Sequence, residues 1–117
     1  HHYAGMRRLL GDDAKSDAIR RAIDARDFTD APLGAAQVAA MDYAQKLTLA
    51  PATIAEADII ALRGVGFDDG EILEINQVSA YFSYANRTVL GLGCSIQGDI
   101  IGLSPNNSDD PDDWNHS

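Results

Sequence analysis

The sequence predicts an all-α fold, and three observations carry that reading. Ile75, Val78, Phe82, Ala85, Val89 and Leu92 recur at alternating three- and four-residue steps, the spacing of one face of a long helix. Two stretches, Thr53-Ile-Ala-Glu56 and Asp68-Asp-Gly-Glu71, read as capping boxes, in which a short polar side chain caps the helix and an acid three residues on reaches back. Gly11 and Gly66 stand where a helix needs a left-handed residue to stop.

The elements follow in order. Residues 1–10 contain no breaker before Gly11 and form the first helix. Residues 16–26 form a short second helix with Ser16 as N-cap, Asp17 in the first turn, and Ala18, Ile19, Ala22 and Ile23 as its apolar stripe. Residues 27–34 read as a loop around Pro32. Residues 35–49 form a third helix rich in alanine, with Val38, Met41 or Asp42, Ala44 or Gln45, and Leu49 near helical spacing. A fourth helix starts at the Thr53 box and runs to about Val65. The fifth and longest starts at the Asp68 box and runs to about Leu92. Beyond Gly91 the closely spaced glycines end the helical pattern. The domain is expected over residues 1–103, followed over 104–117 by an acidic, flexible tail or an arm ordered only on a neighbour, the second option being favoured by Trp114.

Composition excludes several function classes. The 117 residues suffice for one domain with a modest core. Nine bases against 18 acids give a net charge of −9, which disfavours binding to nucleic acid or to an anionic membrane surface. No apolar run is long enough to span a bilayer. A single cysteine, Cys94, excludes an internal disulfide framework and a multi-cysteine metal site, and it is compatible with a reducing cytoplasm, the expected location. No metal and no cofactor is expected. Six of the nine bases lie in the first 26 residues, and the last stretch is purely acidic, a separation that reads first as two solvated faces and alternatively as suited to self-association.

Two stretches in register resemble one family. The opening HHYAGMRRLLGDD resembles the end of a redox helix of pattern C-x-x-C-x-x-H-H-x-x-x-x-R-x-L-x-G-D. Residues 57–93 add Gly66-Phe67, the aromatic tract Tyr81-Phe82-Ser83-Tyr84, Asn86-Arg87 and Gly91-Leu92-Gly93. Together they resemble the peroxidase-related branch of the AhpD-like, carboxymuconolactone decarboxylase superfamily. That resemblance implies an all-α AhpD-like bundle assembled as a homo-oligomer, commonly a trimer or hexamer. It implies reduction of small hydroperoxides by a C-x-x-C pair whose counterparts would lie just before residue 1, recycled by a thiol reductant. It places the proton-relay histidine on His2, four residues after the second cysteine and so on the same helix face. The same scaffold also hosts lactone decarboxylation by thiol-free acid–base chemistry, and non-catalytic helical oligomers. Taken alone, His1 and His2 would read as the stump of a purification tag; the continuation YAGMRRLLGDD and the resemblance of the rest of the chain favour the relay reading.

The remaining polar residues are expected to be structural. Cys94 follows the C-terminal end of the longest helix, where the negative end of the macrodipole disfavours a thiolate, so it reads as a structural thiol. Asn86 lies one turn from Phe82 and is expected to be partly buried. Arg87 is expected to tie helices or subunits together, with substrate contact as the alternative. Tyr81 and Tyr84 read as core or interface rather than pocket. Asp12-Asp13 and Asp68-Asp69 sit at helix starts, where carboxylates complement the dipole. No phosphate loop, His-x-x-x-His site or Ser-His-Asp pattern is present.

Overall fold

Helix-favouring stretches punctuated by acidic caps and glycine stops produce an all-α chain in the computed structural model, which describes residues 2–95 and 97–98. The helices are α1 (His2–Leu10), α2 (Asp13–Ala25), α3 (Ala35–Leu49), α4 (Glu56–Gly64) and α5 (Asp69–Gly91), with a 3-10 turn at Pro51–Thr53. No strand occurs among the described residues. His1, Ile101 and the 104–117 tail with Trp114 lie outside them.

α1 stops at Gly11, whose φ is +60° and whose N–H donates to the Arg7 carbonyl at 3.1 Å. α2 begins four residues earlier than an N-cap at Ser16 predicts. Asp12 is its N-cap and accepts the Lys15 N–H at 2.9 Å. Ser16 is instead fully buried in the helix, with its hydroxyl donating to the Asp12 carbonyl at 2.7 Å. A carboxylate available one turn upstream supplies the charged cap, which complements the positive end of the helix.

The Thr53 box is also corrected. Thr53 closes the 3-10 turn, and its hydroxyl donates back to Ala50 O at 2.8 Å. α4 begins at Glu56 behind Ala55, whose N–H donates to Asp58 at 2.8 Å. The Asp68 box forms as expected: Glu71 N–H donates to Asp68 Oδ1 at 2.8 Å, and Asp68 N–H to Glu71 Oε2 at 2.9 Å. Gly66, at φ +104°, turns the chain between α4 and α5.

Two packed groups result. α1 lies against α2, where Ile19, Ala22 and the following Phe28 are buried. α3, α4 and α5 converge on Tyr43, Leu62 and Ile72, surrounded by Ala39, Leu47, Ile59, Phe67 and Ile75. Lys46 of α3 pairs with Asp58 of α4 at 2.7 Å, and Asn76 of α5 donates to Tyr43 Oη at 2.9 Å. This core differs from the expected stripes. On α3 the buried residue is Tyr43, while Leu49 is exposed. On α5 the packed line runs through Ile72, Ile75, Asn76 and Ser79, about a third of a turn from the Val78–Leu92 stripe, so Ile75 is the member of the expected stripe that packs on this core. Val78, Val89 and Leu92 consequently face solvent.

Candidate functional site

α1 and α2 keep their helix backbones more than 8 Å from α3–α5. Side chains bridge the gap. The His2 ring meets the Phe82 ring edge-on, with centroids 4.8 Å apart and planes at 81°. Tyr81 stands edge-on to the same Phe82 at 5.4 Å. His2 is thus exposed in the first turn of α1 and leans on the aromatic tract of α5. Such edge-to-face contacts contribute about 0.5–1.5 kcal/mol beyond area burial between aromatic rings, enough to orient an imidazole without enclosing it.

The helix that carries His2 is tied to α2 by a network the sequence reading missed. Tyr3 Oη donates to Asp17 Oδ1, and the Arg20 guanidinium lies 4.5 Å above the Tyr3 ring centroid. That hydrogen bond to a carboxylate raises the Tyr3 hydroxyl above its ordinary pKa, so the phenol stays protonated as the donor. One turn further on, Arg7 Nε donates to Asp13 at 2.6 Å, which raises the Arg7 guanidinium and holds the Asp13 carboxyl below its ordinary range. Tyr3 and Asp17 are 14 residues apart. No local spacing rule pairs them, because only the α1–α2 turn brings them together.

The other candidates separate. Asn86 is exposed rather than partly buried. Arg87 bonds within its own helix, Nη1 donating to Ser83 O at 3.0 Å, instead of tying two helices together. Asn86 and Arg87 share a groove with Phe82, on the α3-facing side of α5. Tyr81 and Tyr84 are exposed and contribute nothing to the core of the chain. Cys94 is exposed, not packed as a small core residue, because α5 has already ended: Gly93 turns at φ +69° and Cys94 N–H donates to Val89 O at 3.1 Å. The acidic pairs do sit at helix starts, as caps and first-turn residues. Among the described residues no cluster of His, Cys, Asp and Glu could hold a metal ion, and no helix is long and apolar enough to cross a membrane.

No protein-family model matches the chain, and a search of curated proteins returns no match.

Proposed function

We propose that this chain is the proton-relay part of an AhpD-like peroxidase that reduces organic hydroperoxides, with His2 as the relay. The observation that carries the reading is the position of His2: exposed, in the first turn of α1, and set on the aromatic tract that precedes Asn86-Arg87. A cysteine four residues before His2 on a continued α1 would share its helix face, one turn away. Its thiolate would attack the terminal peroxide oxygen, breaking the O–O bond and forming a sulfenic acid. The alkoxide would leave as the alcohol with a proton delivered through His2. A second cysteine would then displace water from the sulfenic acid to give a disulfide, which an external thiol reduces. An imidazole suits this role because it gains and loses protons near neutral pH.

A homo-oligomer, trimeric or hexameric, belongs to the same proposal. Its support is the apolar surface left on one side of α5, where Tyr81, Tyr84 and Leu92 are 62%, 69% and 78% exposed. An apolar face of this kind on one helix is a usual mark of association.

The test is to join a segment bearing C-x-x-C ahead of His1, with its second cysteine three residues before His1, and to follow consumption of cumene hydroperoxide with dithiothreitol as reductant. Turnover that requires both introduced cysteines supports the proposal. Absence of turnover in a correctly folded protein overturns it, and the thiol-free lactone decarboxylase would then be the reading to assay.

A further inference from the structure

We propose that the groove between α3 and α5 binds single-chain amphiphiles with a carboxylate head, the head pairing with Arg87 and the acyl chain running back along Phe82 and Val78. This deepens the peroxidase reading and rests on it for one consequence: the preferred substrates are hydroperoxides of such acids.

The groove encloses about 570 Å³, within the range of small-molecule sites. Ala44 of α3 and Val78, Phe82 and Leu90 of α5 supply its apolar surface, and Asn86 and Arg87, between Phe82 and Leu90, its polar groups. Two hydroxyls along its wall are already spent on their own helices, Ser79 on Ile75 O at 2.8 Å and Thr48 on Ala44 O at 2.7 Å. Ser83 adds a third hydroxyl beside Asn86 and Arg87, so the stretch near Val78 favours hydrocarbon and the stretch near Arg87 polar ligand atoms. From Arg87 back to Val78 is nine residues of helix, about 13.5 Å at 1.5 Å per residue, room for a medium-length acyl chain.

Charge selects the head group. After Lys46 the chain holds two bases, Arg63 and Arg87. Lys46 is held by Asp58 at 2.7 Å and Arg63 by Asp69 at 2.8 Å. Arg87 gives one N–H to a carbonyl of its own helix, and no carboxylate pairs with it among the described residues. Its remaining donors form the planar fork that matches a carboxylate. The net charge of −9 opposes any anion, so head-group selection rests on this one guanidinium and weakens with salt. Phe82 joins the groove to His2, since the ring that lines the groove is the ring His2 meets at 4.8 Å. Arg87 lies five residues beyond Phe82, about 7.5 Å along the helix. A chain anchored by its carboxylate at Arg87 therefore passes the Phe82 ring, which His2 meets, several carbons from the head, and the peroxide is proposed to sit there. Hydrogen peroxide offers neither anchor.

The experiment is calorimetric titration of the 117-residue chain with decanoate below its micellar range, with decanol and decylamine as the neutral and cationic comparisons. The expected result is saturable binding of decanoate, about fivefold tighter than decanol, the range of a solvent-exposed ion pair, and tighter still than decylamine. In Arg87→Gln, which alters an exposed side chain, decanoate should fall to the level of decanol. Val78→Asp should weaken both. No saturable binding, equal affinity for decanoate and decanol, or an unchanged preference in Arg87→Gln overturns the proposal, as does an oligomer whose second copy closes the groove to decanoate. Binding is read without the cysteines. Peroxide turnover without decanoate binding therefore removes this proposal alone, and decanoate binding without turnover removes the peroxidase reading alone.

Discussion

Truncation of Leu62 to alanine tests the packing that holds α3, α4 and α5 together. Leu62 is 1% exposed and lies with Tyr43 and Ile72 at the point where the three helices meet. Leu62→Ala removes three buried carbons, worth about 2.4 kcal/mol at about 0.8 kcal/mol each. The cavity left behind adds to this, because the surrounding helices relax only in part, and the whole loss should reach about 3–4 kcal/mol. Against a total stability of about 5–15 kcal/mol that is a large fraction, equivalent to a fall in Tm of roughly 10–25 °C. Urea and thermal unfolding followed by far-ultraviolet circular dichroism measure it. Ile60→Ala is the control: it lies in the same helix, is 57% exposed, and should cost under about 0.5 kcal/mol. A Leu62→Ala cost below about 1 kcal/mol, or an equal cost for Ile60→Ala, would refute the assignment of the core.

Two further outcomes are expected. The Asp58 carboxyl is held below its ordinary pKa, first by the hydrogen bond from Lys46 and then by the Ala55 N–H, so its contribution is present above the unfolded value of about 3.9 and is lost as pH falls through the lower folded value. Asp58→Asn should therefore lower the urea midpoint at neutral pH, with the difference closing in strongly acidic solution; a deficit independent of pH would show that the ion pair is not its source. Sedimentation equilibrium at micromolar concentration should give a multiple of 12.5 kDa, and Tyr84→Glu, on the exposed side of α5 away from the groove, should shift the population to monomer; monomer mass at every concentration for the unaltered chain counts against assembly.

What could be read from the sequence was what local chemistry decides. The Asp68–Glu71 box and the Gly66 turn appear where expected because each is settled within a few residues. The errors arose where two local options compete. Asp12 displaced Ser16 as a cap, and Asp58 displaced Thr53 because a carboxylate can accept from Ala55 N–H and Lys46 together. The core itself was hidden. Tyr43 looks no more buried than Val38 or Leu49 by spacing, and its burial depends on Asn76, 33 residues away, giving its hydroxyl a partner. The Val78–Leu92 stripe is real, but only Phe82 and Ala85 in its middle are partly covered within the chain. For the candidate site, His2 is proposed on its motif in the sequence. Its Phe82 partner and the Tyr3–Asp17 tie of its helix arise only from tertiary structure.

The central claim is that His2 moves the proton, and its removal tests this most directly. In the protein carrying C-x-x-C ahead of His1, kcat/KM for cumene hydroperoxide is to be compared between the unaltered chain and His2→Ala, with circular dichroism and sedimentation confirming the same fold and assembly. The account predicts a loss of about 10²-fold or more, the range for removing a general acid–base group, together with no turnover by the 117-residue chain whose one thiol is Cys94. Equal kcat/KM in the two proteins would contradict the assignment of His2, and hydroperoxide consumption by the 117-residue chain that disappears in Cys94→Ser would place the chemistry at the other end of the molecule.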